Sequence, residues 1–195
     1  PNDAPPKDRS LELTLGRATL IVALKKYLSS SRKKQMSELE AQCLLYILSC
    51  NGVELNKMEF SEFRQVPYSP ILSSAIRKMD GDFLYISGIN KPADSTFITL
   101  EPKVASNAER MLRKNEANSK SISNVIDLIA GYESKDGMII LASTLWSVRK
   151  MSSDNKEAFA ESLVENVLSL TSPQARVSPT LIKSAYQRLV EEGLN

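Results

Sequence analysis

Acidic and aromatic residues are interleaved in one short stretch, and these residue types are suited to recognising a partner. Residues 37–65 hold five glutamates against one lysine and one arginine. Hydrophobic alternation through Met58 and Phe60 predicts a short strand over residues 57–64. An acidic strand edge that carries Phe60 and Phe63 suits a basic groove on a partner protein, because complementary charge speeds and orients association. Equally, such glutamates can stop an edge strand from pairing with other sheets.

A basic group lies at the end of the first predicted helix. Residues 1–36 hold eight Lys or Arg against three Asp or Glu. The members of the group are Lys25, Lys26, Arg32, Lys33 and Lys34. A solvated helix cap is the simpler explanation, because positive charge suits a helix C-terminus. The alternative is an electrostatic patch for phosphate or for an acidic partner.

Nothing in the sequence predicts catalysis. The chain has no histidine, which removes Ser-His and Cys-His nucleophile systems and the commonest metal ligand. It also lacks a Gly-rich phosphate loop, a C-x-x-C pair and a G-x-S-x-G elbow. We therefore expect no catalytic residues, no metal and no cofactor, and we expect that the chain is not an enzyme.

The composition is that of a water-soluble chain of 195 residues with a net charge of +2. Cys43 and Cys50 are seven residues apart on one predicted helix, so they lie roughly 10 Å apart and cannot pair with each other. No apolar run approaches the length of a membrane span. These features predict a cytoplasmic protein.

The elements that position the charged stretches are mostly helices. In the first half, the sequence predicts helices over residues 14–28, 38–49 and 70–79. It also predicts a rigid turn between Pro67 and Pro70 and a β hairpin of residues 83–86 and 96–100. The second half predicts helices over residues 104–115, 154–170 and 179–192. Between them, residues 121–148 predict a helical hairpin around a polar turn at 133–137, and its second helix is apolar almost all round. The fold class is mainly α with a small antiparallel β hairpin or wing (α+β), winged-helix-like in the N-terminal half and a helical bundle in the C-terminal half.

Three segments in order resemble one family. Leu15-Gly16-Arg17-Ala18 resembles its "PGRA" start, residues 128–133 and 141–146 resemble its "LIEGFET…ELLATVHWV" stretch, and residues 177–189 resemble its "FSPEHI…AWERL" close. The family is the C-terminal, toxin-binding domain of the DarG antitoxins, the partners of DarT DNA ADP-ribosyltransferases. This chain has Leu145-Trp146 where the family has "HW".

The resemblance implies a bacterial toxin–antitoxin function. It implies that residues 1–13 are a linker from a preceding macrodomain that removes ADP-ribose from DNA, and that residues 14–195 form a single antitoxin domain that binds the toxin directly. The acidic stretch would then occupy the toxin's DNA groove as a nucleic-acid mimic. The partner-binding residues that we predict are Glu59, Phe60, Glu62, Phe63, Arg64, Pro67 and Tyr68.

A second function stays open at this point. The order of helix, short helix and two-stranded wing is that of winged-helix modules, and the basic group could place such a module on DNA. The alternative is therefore a DNA-binding transcriptional regulator. DNA binding should weaken steeply with salt, whereas a protein interface centred on apolar contacts should weaken less.

Overall fold

The computed structural model describes residues 11–53, 55, 58–63, 66–151, 156–171 and 176–194. The helices within these ranges are α1 (Leu15–Ser30), α2 (Glu38–Cys50), α3 (Pro70–Lys78), α4 (Pro102–Leu112), α5 (Glu116–Leu128), α6 (Lys135–Lys150), α7 (Lys156–Leu170) and α8 (Pro179–Glu191). The strands are β1 (Met36–Ser37), β2 (Ser61–Phe63), β3 (Val66–Tyr68), β4 (Leu84–Ser87) and β5 (Phe97–Leu100). This mainly helical α+β architecture confirms the predicted fold class. Every helix in the described ranges is too short or too polar to span a bilayer.

The N-terminal half contains a three-stranded antiparallel sheet in the order β1-β5-β4. The predicted hairpin is its β4–β5 pair, with Leu84 opposite Leu100. Strand β1 was not predicted, because two residues are too few to show an alternating pattern. Its Met36 pairs with Ile98 of β5 and so joins the α1–α2 connection to the wing.

Helix starts follow the capping residues of the sequence. Ser37 and Glu40 form the predicted capping box at the start of α2, with both reciprocal hydrogen bonds present. Ser69 caps α3 and Ser178 caps α8, and each is followed by a proline in the first helical turn. Proline is tolerated there because the N–H that it lacks has no partner inside the helix. The predicted start of α7 at residue 154 lies outside the described residues.

The turn between α5 and α6 is shorter than predicted. Residues 135–137 belong to the first turn of α6, because Ser134 caps the helix and accepts a hydrogen bond from the Gly137 N–H. A Cβ on Gly137 would lie 2.5 Å from the Tyr132 carbonyl oxygen. Glycine is therefore required at this position for packing inside a helix, and the prediction of a turn there was wrong.

The core is arranged along α6. Ten of its residues are buried, which confirms the prediction of a helix without a wet face. Leu145 belongs to the main apolar cluster, which joins α6 to α1, α2, α4, α5 and the second half of α8. Val148 belongs to a second cluster, which joins α6 to α7 and α8.

Candidate functional site

The predicted acidic strand is one half of a second, two-stranded sheet. Strands β2 and β3 pair antiparallel, with Ser61 opposite Tyr68 and Glu62 opposite Pro67. We call residues 58–68 the acidic hairpin. Residues 61–63 confirm the predicted strand, but Met58, Glu59 and Phe60 precede it and are not in a strand.

The prediction of a turn between Pro67 and Pro70 was wrong for Pro67 and Tyr68. Pro67 and Tyr68 lie in β3, where the missing N–H of Pro67 is tolerated because both strands of a two-stranded sheet are edges. Ser69 then leaves the strand and caps α3.

The base of the acidic hairpin is fastened to α2 by Gln42. The Gln42 side chain donates to the Ser69 carbonyl at 3.1 Å and accepts from the Ser69 N–H at 2.9 Å. Both residues are completely buried. This reciprocal pair satisfies the backbone of residue 69 at the exit of β3, which fixes how the hairpin leaves the core.

The Phe60 ring of the hairpin lies over two aromatic rings from different helices, Tyr46 and Trp146. Phe60 meets Tyr46 of α2 edge to face at a centroid distance of 5.3 Å, and Tyr46 meets Trp146 of α6 in the same way at 5.5 Å. We call Tyr46, Phe60 and Trp146 the aromatic platform. Such pairs each contribute about 0.5–1.5 kcal/mol beyond their buried area. Burial raises the pKa of Tyr46 above its ordinary value, so the platform stays neutral.

Lys150 connects the platform to the acidic edge. Its ammonium lies 4.3 Å from the centroid of the Trp146 ring and 3.8 Å from a carboxylate oxygen of Glu62. The side chains of Lys150 and Glu62 are 57% and 47% exposed. An ion pair as exposed as this one is worth at most about 1 kcal/mol, so Lys150 holds the Glu62 carboxylate only weakly.

The other predicted partner-binding residues differ in accessibility. Glu59 is exposed and, within the described residues, makes no ion pair. Pro67 is buried, whereas Phe60 and Tyr68 are half-buried. Arg64 and the side chain of Phe63 lie outside what the structure describes. Of the seven predicted residues, Glu59 and Glu62 thus carry exposed carboxylates, and Phe60 and Tyr68 carry partly accessible rings.

The predicted basic group is largely engaged inside the molecule. Lys25 forms a 2.8 Å ion pair with Glu109, Lys26 donates to Ser123 at 2.9 Å, and Lys33 pairs with Glu40. Arg32 and Lys34 remain exposed. Three of the five basic side chains thus have partners within the chain. This weakens the interpretation of the group as a phosphate-binding patch.

Glu40 is the centre of a buried polar cluster. Its carboxylate accepts from the Tyr27 hydroxyl at 2.6 Å, from the Ser37 N–H at 2.9 Å and from Lys33. Burial acts to raise its pKa, but these hydrogen bonds outweigh burial and hold the pKa of Glu40 below its ordinary value. Burial and the bond to Glu40 raise the pKa of Tyr27. Among the described residues, no group of His, Cys, Asp and Glu side chains could hold a metal ion.

Sequence reasoning missed Lys150 and Tyr46 as parts of this site. Both lie on helices far from residues 58–68, and a single sequence shows the apolar face of a helix without showing which element covers it. The lone Trp146 was the one visible signal, since a tryptophan on an apolar helix predicts an aromatic contact.

Three curated proteins are similar to this chain, whereas no family model matches it. A protein of Thermus aquaticus is 28% identical over 137 residues, covering 70% of this chain and 37% of the relative. Proteins of Mycobacterium bovis and Mycobacterium tuberculosis are each 28% identical over 153 residues, covering 70% of this chain and 42% of the relative. All three are named DNA ADP-ribosyl glycohydrolase. This chain therefore spans about two fifths of the length of the relatives that it matches.

These names correct the prediction that the chain is not an enzyme, because all three relatives are named for an enzymatic activity. The prediction was drawn from the absence of histidine, which excludes only chemistry that depends on imidazole. Cleavage of a glycosidic bond is commonly carried out by a pair of carboxylates, and the chain has 23 Asp and Glu residues.

The similarity reaches beyond the short motifs, since it extends over 70% of the chain. The relatives' names refer to DNA and to ADP-ribose, as the resemblance to the DarG family implied. The chain is thus similar to proteins named DNA ADP-ribosyl glycohydrolase, which supports its resemblance to the DarG family.

Proposed function

We propose that this chain binds a DarT-like DNA ADP-ribosyltransferase toxin and inhibits it by occupying the toxin's DNA groove with the acidic hairpin. The observation that carries the proposal is the pair of outward carboxylates, Glu59 and Glu62, on a hairpin that is fastened to the core. The relatives' names support the context of DNA ADP-ribosylation.

The chemistry of such a groove explains the choice of residues. A groove that holds single-stranded DNA combines cations for the phosphates with aromatic positions for the bases. Carboxylates at Glu59 and Glu62 would replace two phosphates, and the accessible edges of Phe60 and Tyr68 would replace bases. The hairpin would therefore compete with DNA for the same contacts.

Rigidity of the hairpin would favour tight binding. The Gln42–Ser69 pair and the aromatic platform hold the described parts of the hairpin, residues 58–63 and 66–68, before any partner arrives. A preorganised segment loses less conformational entropy on binding than a flexible one. Lys150 would release Glu62 to a toxin arginine or lysine, because its own ion pair is exposed and weak.

The test is titration calorimetry against a catalytically inactive toxin, with and without single-stranded DNA. We expect binding that DNA competes away. The double variant Glu59→Lys with Glu62→Lys should weaken binding by at least about 100-fold, roughly 2.7 kcal/mol.

The matched control is Glu161→Lys with Glu165→Lys, which makes the same change in net charge at exposed positions on α7. It should leave affinity within about threefold, well under 1 kcal/mol. Equal affinity of the hairpin variant and the wild type, with both folded by circular dichroism, would rule the proposal out. Emission from Trp146, the one tryptophan, gives a second readout, because this ring lies in the platform.

We further propose that this chain is part of a longer protein, because it covers only 37–42% of the relatives that it matches. By the names of the relatives, this longer protein would remove ADP-ribose from DNA, so one protein would both repair the toxin's product and block the toxin. Release of ADP-ribose from modified DNA by the full-length protein tests this part separately from toxin binding.

A DNA-binding regulator is the second candidate, and one observation favours it. Apart from the β2–β3 pair inserted between α2 and α3, the order α1-β1-α2-α3-β4-β5 is that of winged-helix modules, and α3 ends in the exposed Arg77 and Lys78. Binding to duplex DNA that falls steeply with salt, together with no affinity for the toxin, would favour this candidate instead.

A further inference from the structure

A groove lies between the start of α1 and the outer face of α3, and nothing above assigns it a role. Its volume is about 520 Å³, within the range of roughly 300–1,000 Å³ that is usual for ligand sites. We call it the α1–α3 groove. The residues that carry the argument below are Arg17, Leu20, Ile71, Ser74, Lys78 and Met79.

The walls of the groove are apolar and partly open to solvent. Leu20 and Met79 form its buried side. Ile71 is 50% exposed although it is a large hydrophobic side chain. An apolar side chain that lines a concave surface and remains exposed is suited to burial against a partner.

Arg17 and Lys78 make the groove positive. Among the described residues that line the groove there is no Asp or Glu, and the first turns of α1 and α3 contain no acidic residue. Arg17 donates to the backbone carbonyl of Glu12, and within the described ranges neither Arg17 nor Lys78 makes an ion pair. Two cations without a carboxylate partner beside an apolar wall complement a ligand that is both acidic and apolar.

The segment Leu15-Gly16-Arg17-Ala18, which carried part of the resemblance, contributes to this site. Gly16 and Arg17 line the groove, whereas Ala18 is completely buried. Gly16 adds no side chain to the wall, and Arg17 supplies the charge. The motif therefore shapes a surface in addition to starting a helix.

We propose that the α1–α3 groove binds a short segment of a partner protein in which Asp or Glu residues flank Leu, Ile or Phe. Ile71, Ser74 and Lys78 lie on one face of α3, so an apolar contact and a cation stand side by side in the wall. Apolar grooves take up amphipathic segments through such contacts. A nucleic acid would satisfy the cations but would leave Ile71 without an apolar contact. This inference goes beyond the toxin-binding hairpin and does not depend on it, since Met58 at the start of the hairpin lines the groove but plays no part in the proposed toxin contact.

The probe is a phage-displayed library of random short peptides, selected on the wild-type chain and then measured as fluorescein-labelled peptides by anisotropy. We expect enrichment of peptides that combine Asp or Glu with Leu, Ile or Phe. Ile71→Glu and Lys78→Glu should each weaken their binding by at least about tenfold. Both positions are exposed, so the folded state should tolerate the changes.

Arg77→Glu is the matched control, because Arg77 is exposed in the same helical turn but does not line the groove. It should change affinity by less than about twofold. The double change at Glu59 and Glu62 should also leave peptide binding intact, which separates this site from the hairpin. Three results would overturn the inference: no acidic enrichment, an equal loss with Arg77→Glu, or binding of a labelled oligothymidylate at the groove in place of the peptides.

Discussion

At the scale of single residues, Glu40 shows how one carboxylate serves several elements. It closes the capping box of α2, receives the Tyr27 hydroxyl from α1 and pairs with Lys33 in the loop between them. The sequence predicted the capping box, because Ser and Glu at the N-cap and N3 positions are a local signal. It could not predict Tyr27, since a contact between two helices depends on how they cross.

The depressed pKa of Glu40 predicts a stability that depends on pH. A folded-state pKa below the unfolded one adds stability that is present above the unfolded value, ordinarily 4.5, and is lost as pH falls through the folded value. Glu40→Gln keeps the shape of the side chain and removes this pH-dependent contribution to stability. Chemical unfolding near neutral pH should therefore show the variant less stable by about 1–3 kcal/mol, with the gap narrowing well below pH 4.5. A gap that is constant over the whole pH range would contradict this account.

At the scale of elements, the acidic hairpin depends on residues that are distant in sequence. The alternating pattern predicted β2, but the prolines suggested a turn where β3 forms. Proline restricts the backbone in the same way in a turn and on an edge strand, so only the pairing partner distinguishes the two. The aromatic platform was beyond sequence reasoning for the related reason that Tyr46, Phe60 and Trp146 come from α2, from the segment before β2 and from α6.

Gln42→Ala should loosen the hairpin without unfolding the chain. The change leaves the N–H and carbonyl of Ser69 buried without their side-chain partners, at a cost of about 1–3 kcal/mol for each buried group left unsatisfied. Hydrogen exchange should accelerate in residues 61–63 and 66–69, and the proposed toxin binding should weaken because preorganisation is lost. Lys150→Ala is the comparison. It removes only exposed contacts to the hairpin, so exchange there should change little. Equal acceleration in both variants would show that Gln42 is not what fastens the hairpin.

At the scale of the whole molecule, α6 holds the two apolar clusters together. Its composition predicted a buried helix, and the structure packs α7 and α8 against it. The division into two clusters was not predictable, because Leu145 and Val148 are equally apolar in the sequence and differ only in which helices surround them.

The second cluster should be able to loosen while the acidic hairpin stays intact. Leu163 is 1% exposed in that cluster, so Leu163→Ala should destabilise the packing of α7 and α8 by about 2–4 kcal/mol. Leu168 lies on the same helix and is 38% exposed, and Leu168→Ala should cost less than about 1 kcal/mol. Hydrogen exchange in the Leu163 variant should rise in α7 and α8 and remain slow in β2 and β3, with toxin affinity unchanged. If exchange in the hairpin rises by the same factor, the two clusters unfold as one unit, and α6 transmits the loss of packing across the whole molecule.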